Sequence, residues 1–150
     1  MRILIQRVSE SSVTINGTIH NQIKTGLLIL LGIELDDNES DADWLIQKAT
    51  DLRIFNDEYE KMNLSVKDIK GEILVISQFT LHGSTKKGNR PGFIKAARPE
   101  QAIPLYNYFT SNLEKVSGLK VVTGEFGADM KVQLINDGPV TLWIDSKNRE

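Results

Sequence analysis

The sequence predicts a mixed α/β domain in which strands outweigh helices. Three observations carry this expectation. The run Ile73-Leu74-Val75-Ile76 is continuously apolar and rich in β-branched residues, the pattern of a strand buried on both faces. Asn16-Gly17 between two apolar-containing segments is a two-residue hairpin signal. Two longer segments, 40–53 and 102–116, place apolar residues at helical spacing. The chain has 150 residues, enough for a substantial core in one domain spanning 1–150.

Taken in order, Arg2 to Val8 reads as a first strand containing one cation, Arg7. Ser11–Ile15 and Thr18–Ile23 form the hairpin around Asn16-Gly17, with His20 exposed just past the turn. Gly26 to Ile33 is a second buried strand. The acidic stretch Asp36 to Asp43 lacks the central glycine and terminal glutamate of a calcium hand, so it reads as a helix start. Ser40 is the expected cap, with Asp43 completing a capping box, and Leu45, Ile46, Ala49 and Leu52 form the buried stripe. Trp44 is expected to pack rather than to bind a ligand.

The segment 55–70 reads as a long loop or short hairpin before the central strand. In the second helix Leu105, Phe109, Leu113 and Val116 align, and Pro104, which lacks an N–H, is expected near the start of the regular turns. Leu119–Thr123, Asp129–Ile135 and Val140–Ile144 are three final strands, giving seven or eight strands and two helices. Taken alone, Asp137-Gly138-Pro139 reads as a turn between the last two.

Composition limits the function classes. With 40 % hydrophobic and 25 % charged residues the chain has ordinary globular character, and no apolar run reaches membrane length. No membrane partner is expected, and the lack of a leader pattern leads us to expect a cytoplasmic protein. There is no cysteine, which excludes disulfides, thiol nucleophiles and zinc-thiolate sites. The net charge of −2 hides an asymmetry: Lys86, Lys87, Arg90, Lys95 and Arg98 lie in a span without an acid. That segment is a candidate phosphate-contacting loop rather than only a solvated one.

Acid–base machinery is sparse. The chain has two histidines, His20 and His82. If the central strand continued, Ser77 and His82 would point to opposite faces, and Thr80 and His82 would lie roughly 6.8 Å apart on one face. No carboxylate is placed to orient His82, so a protein-borne triad is unsupported. The polar stretch Ser77-Gln78-Phe79-Thr80 instead offers backbone N–H donors beside hydroxyl and amide groups, an arrangement able to hold a developing oxyanion. No metal or other cofactor is expected.

Ser77-Gln78-Phe79-Thr80-Leu81, together with Asn136-Asp137-Gly138-Pro139-Val140-Thr141, resembles the D-aminoacyl-tRNA deacylase (D-tyrosyl-tRNA deacylase) family. The resemblance extends to Ile5-Gln6-Arg7-Val8, Gly26-Leu27-Leu28, Lys61-Met62-Asn63-Leu64, Arg90-Pro91 with Phe93, and Phe126-Gly127-Ala128-Asp129-Met130. It implies a homodimeric esterase that removes D-amino acids from the acceptor end of tRNA, and a main-chain selector that rejects a β-carbon extends the expected substrates to tRNA carrying glycine. Carried over residue by residue, it implies that Ser77, Gln78, Phe79 and Thr80 form one wall of the catalytic pocket. Gly138 and Pro139, joined by a cis bond and inserted from the partner subunit, form the other. Arg7 would hold that loop, and Phe126, Ala128 and Met130 would cradle the terminal adenosine. The chain departs from the family pattern at Gly92, where serine is more frequent, and at His82, where small residues are common.

For mechanism, the expectation is that the Phe79 N–H, with Thr80 nearby, polarises the ester carbonyl while the ribose 2′-hydroxyl positions or activates water. A covalent Thr80 nucleophile would need a base that the sequence does not offer. Two other readings are a dimeric RNA-end-binding module without chemistry, and an editing enzyme for L-amino acids. The intact Ser77–Leu81 motif weighs against the second.

Overall fold

The computed structural model describes residues 1–149. Its frame is one mixed sheet whose path runs β2 (Thr18–Ile23), β1 (Arg2–Ile15), β3 (Gly26–Gly32), β6 (Glu72–Ser77) and β7 (Val121–Thr123), with β8 (Met130–Asp145) pairing on β1. β4 (Phe55–Asn56) and β5 (Met62–Leu64) form a separate short hairpin. Two helices, α1 (Glu39–Asp51) and α2 (Pro99–Ser117), complete the regular structure. No described helix is long and apolar enough to cross a membrane.

β6 has the double burial that its composition predicts. Ile73 and Val75 enter the core beneath the helices, with Ile3, Ile5, Leu27, Ile29, Leu45, Ile46 and Phe109. Leu74 and Ile76 enter a second cluster with Val8, Val13, Ile23 and Leu28 on the opposite face. Both faces need a cover because neither offers polar side chains to water. The helices cover the first. The second is covered by the parts of β1 and β8 beyond the register shifts near Arg7 and Glu10, which bring Val13, Val132 and Leu134 to that cluster.

Two expectations about element boundaries are corrected. The segments 2–8 and 11–15 belong to one strand, continuous through the register shifts against β8. The two last predicted strands are likewise one, β8, and residues 136–139 are not a turn between separate strands. Gln6 pairs with Thr141 and Val8 with Asn136, so Arg7 alone spans the interval that residues 137–140 occupy on β8. The extra residues form a wide excursion in a paired strand, which local sequence cannot distinguish from a hairpin turn. In the 55–70 segment the short hairpin is the alternative that forms.

The helices also begin earlier than expected. Asn38, not Ser40, caps α1: its side chain accepts from Ser40 N–H at 2.9 Å, and Asp41 accepts from Asn38 N–H at 3.1 Å. Asp43 instead accepts a hydrogen bond from the Tyr108 hydroxyl at 2.9 Å. α2 starts at Pro99 and carries Pro104 inside, and its buried stripe includes Tyr106 while Val116 remains 46 % exposed. The capping geometry generates a discriminating test. In chemical denaturation, Asn38→Ala is expected to cost about 1 kcal/mol, and Ser40→Ala distinctly less.

Candidate functional site

β6 delivers the first group of candidate residues. Gln78 leaves the strand, its N–H donating to Leu31 O at 2.8 Å, and Phe79–His82 then wind into a single 3-10 turn. The period-two placement of Ser77, Thr80 and His82 on a continuing strand is therefore overturned. The first N–H groups of such a turn have no acceptor within it. Those of Phe79 and Thr80 donate to no group among the described residues. Gln78 Nε2 donates to Thr80 Oγ1, which orients the amide and the hydroxyl toward each other.

His82 is buried to 2 % exposure, and neither ring nitrogen makes a well-formed hydrogen bond. Burial pushes its pKa below the ordinary histidine value, only partly offset by the adjacent Gly32 backbone. Gly32 makes this position possible, since a Cβ there would lie 3.0 Å from Leu81 Cβ and 3.1 Å from His82 Cδ2. A neutral, enclosed imidazole with no carboxylate partner is not a general base for a substrate outside.

The turn opens on a cavity of about 330 Å³. Ser77, Gln78 and Phe79 line one side, and Phe126, Gly127, Ala128, Asp129 and Met130 line another. Leu31, Ile33, Ala97, Ala102 and Val132 supply apolar floor that the motif reading did not single out. The cavity thus joins two stretches almost fifty residues apart. A concave apolar site with a few convergent polar groups is suited to a flat heterocycle with a polar attachment.

Tyr106 braces this cavity. Its hydroxyl donates to Val75 O at 2.8 Å, and its ring meets Phe126 edge-on, with centroids 5.8 Å apart at 67°. Burial pushes its pKa well above the ordinary tyrosine value, so it remains a neutral donor. The sequence signal was present, because Tyr106 adjoins Leu105 on the helix stripe, but a helical period alone does not say which side chain bridges two walls.

The Gly138-Pro139 excursion does not line that cavity. Its peptide bond is cis, and Gly138 has φ 127°. Arg7 lies beneath it, 7 % exposed. Its Nε donates to Asp137 O at 3.0 Å and its Nη1 to Ile54 O at 2.6 Å, with Asn56 Oδ1 at 3.5 Å. The Asp137 carboxylate stands 3.5 Å from the guanidinium. A Cβ on Gly138 would come within 2.8 Å of Arg7 Nη2, so the close approach demands glycine. Asn136 closes the excursion, accepting from Val140 N–H at 3.1 Å and donating to Thr141 Oγ1 at 2.7 Å.

Within one chain the two motifs are well separated. Arg7 aligns with Leu27 at one end of β3, whereas Ser77 aligns with Leu31 near the other, roughly 13 Å along the strand. The basic loop forms a third feature. Lys86, Lys87, Arg90 and Lys95 surround a separate cavity of about 440 Å³, while Arg98 stands apart as the N-cap of α2. Lys95 also approaches Glu34 at 3.7 Å. No cluster of potential metal ligands occurs among the described residues.

Comparison with known proteins agrees with the motif reading. A family model described as D-Tyr-tRNA(Tyr) deacylase matches residues 4–145. A protein named D-aminoacyl-tRNA deacylase from Flavobacterium psychrophilum is 64 % identical over 150 residues, covering 100 % of both chains. One of the same name from Bacteroides fragilis is 59 % identical with the same full coverage. Among solved structures, one named c-Myc DNA Unwinding Element Binding Protein aligns at TM-score 0.91 and 41 % identity, over 97 % of this chain and 98 % of that one. Another, named as a probable eukaryotic D-amino acid tRNA deacylase, shares the fold at TM-score 0.80 and 15 % identity, over 95 % and 97 % of the two chains. The chain belongs to the D-Tyr-tRNA(Tyr) deacylase family.

Proposed function

We propose that this protein is an editing hydrolase that cleaves the ester of D-aminoacyl-tRNA, and of glycyl-tRNA mischarged on other tRNAs, to free amino acid and tRNA. The observation that supports this reading is the cavity shared by Ser77–Phe79 and Phe126–Met130, with the unpaired Phe79 N–H on a residue that lines it and the unpaired Thr80 N–H next in the turn. In this reading Phe126, Ala128 and Met130 receive the terminal adenosine. That position brings the ester toward the turn, where the Phe79 N–H polarises the carbonyl and stabilises charge developing on its oxygen. Ser77, Gln78 and Thr80 orient the substrate and water around that donor.

The second wall comes from another copy of the chain. Two features support a homodimer. β8 pairs only with β1 among the described strands, leaving a sixteen-residue edge that one chain does not cover. It also exposes Ile135 and Trp143 to 54 % and 50 %. Gly138 and Pro139 lie outside their own chain's cavity, so their role in the site requires the partner's cavity. Their main-chain carbonyls hold the substrate ammonium, with Arg7 fixing the excursion from beneath. The basic loop, through Lys86, Lys87, Arg90, Lys95 and Arg98, meets tRNA phosphates. An enzyme of this kind works in the cytoplasm, where tRNA is charged.

Chirality follows from the use of main chain as selector. With ammonium and carbonyl both fixed, a D side chain points out of the pocket and an L side chain drives its β-carbon into the Gly138-Pro139 backbone. Close packing makes that overlap costly. Purified protein is therefore expected to release amino acid from D-tyrosyl- and D-aspartyl-tRNA and from glycyl-tRNA while sparing L-tyrosyl-tRNA. Release from none of them would leave an RNA-end-binding module. Survival of glycyl-tRNA at enzyme levels that clear D-tyrosyl-tRNA, with equal binding, would require a pocket that recognises the D side chain itself.

The catalytic step needs a group to position or activate water, and no side chain at the rim is a competent base. The 2′-hydroxyl of the terminal ribose fills that role. Thr80→Ala protein is accordingly expected to retain deacylation, and substrate lacking the 2′-hydroxyl to lose turnover. The reverse pair of results would make Thr80 the nucleophile.

A further inference from the structure

The carbonyl-polarising turn has an unusual weakness: the side chain at its first position is not held by the core. Phe79 is 55 % exposed, so burial alone does not fix its ring. Its aromatic partner is Phe93, met edge-on with centroids 5.0 Å apart at 76°. An edge-to-face pair contributes about 0.5–1.5 kcal/mol beyond area burial, enough to choose one rotamer of an otherwise solvated ring.

Phe93 is itself held from both sides. Just before it, Ser84 and Gly92 exchange two backbone hydrogen bonds, of 2.8 and 2.9 Å, which close the tip carrying Lys86, Lys87 and Arg90. Just after it, Ala96 N–H donates to Phe93 O at 3.1 Å and Ala97 N–H to Ile33 O at 2.9 Å, anchoring the segment at the end of the sheet. Gly83 completes the arrangement. Its N–H donates to Thr80 O at 2.9 Å, closing the 3-10 turn, and its missing side chain leaves space for the ring. A Cβ on Gly83 would stand 3.0 Å from both Phe93 Cε1 and Thr80 O.

We propose that Phe93 is a positioning residue for deacylation, holding the Phe79 ring and thereby the direction of the Phe79 N–H. The inference rests on the carbonyl-polarising role given to that N–H under the proposed function. Phe93 need touch neither the ester nor the adenosine. It makes the base of the basic loop one wall of a clasp around the turn, so the segment that meets tRNA phosphates and the segment that meets the ester share one aromatic contact. Misplacing a reacting or stabilising group by a fraction of its contact distance has large kinetic consequences, because such groups act only when aligned.

The test is single-turnover deacylation of D-tyrosyl-tRNA at saturating enzyme, which separates the rate of the bound step from the apparent Kd. Phe93→Ala is expected to lower the saturated rate about tenfold, with apparent Kd within about twofold of the original. Phe93→Tyr, which keeps the ring edge, is expected to restore the rate. The same split is expected with a D-tyrosyl ester on a short 3′-terminal oligonucleotide, which lacks the phosphates beyond the acceptor end. Should Phe93→Ala unfold at the assay temperature, Gly83→Ala disturbs the same ring contact and is expected to give the same loss of rate. A Phe93→Ala protein that keeps the saturated rate and merely binds tRNA more weakly would overturn the inference and leave Phe93 as part of a binding loop. Inactivity of the unaltered protein on D-tyrosyl-tRNA would overturn the proposed function itself, and this inference with it.

Discussion

The guanidinium of Arg7 is the constraint on which the rest of this structure turns. A cation placed in a buried strand must be matched by acceptors, because desolvating it unpaired is far more costly than any single packing gain. Here the acceptors are the Asp137 and Ile54 carbonyls, with Asn56 Oδ1 and the Asp137 carboxylate nearby. The first draws in the excursion of β8, and the second draws in the chain leaving α1. One side chain therefore sits where β1 and β8 lose register, and beyond that point both strands supply Val13, Val132 and Leu134 to the cluster on the second face of the sheet. Gly138 is bound to the same constraint, since its missing Cβ is what lets Arg7 Nη2 approach.

The cavity depends on the opposite end of the sheet. β3 and β6 run parallel there, and Gln78 is the last residue tied to β3 before the chain winds into the 3-10 turn. Stopping the strand at that point releases two N–H groups that a continued ladder would consume. Tyr106 holds the strand and the far wall together through Val75 O and the Phe126 ring. In the proposed function the chemistry falls largely to main chain positioned by buried side chains. This agrees with a chain that has few groups able to titrate near neutrality, and whose His82 is enclosed and neutral.

Much of this was legible in the sequence, and the failures have a common cause. β6 was readable because Ile73–Ile76 are apolar on both faces, a property of the segment itself. The two site motifs were readable as motifs. What the sequence concealed was non-local. Asp137-Gly138-Pro139 has turn composition, yet β1 runs past it on both sides and makes it an excursion within one strand. How the chain continues past Gln78 was open, because the pairing with β3 that ends there is set by another strand. The stretch Asp36–Asp43 offers several capping residues, and Asn38 prevails because Asp41 reciprocates its bond. Tyr106 escaped notice, and Phe93 was named only as part of a motif, because their partners, Phe126, Val75 and Phe79, lie on other elements. The separation of the Gly138-Pro139 excursion from its own chain's cavity was likewise visible only once strand register was known.

A site completed by a second copy of the chain is the central claim of this account, and subunit mixing tests it most directly. One protein carries Phe79→Pro, which removes the N–H proposed to polarise the ester. The other carries Gly138→Ala, whose Cβ would meet Arg7 Nη2 and Val140 Cγ2 at 2.8 and 2.9 Å. Each is expected to be inactive alone on D-tyrosyl-tRNA. After dissociation and reassembly of an equal mixture, half of the dimers are mixed and each of these holds one intact site, so about a quarter of the original activity returns. Verified mixed dimers that remain inactive would contradict the account.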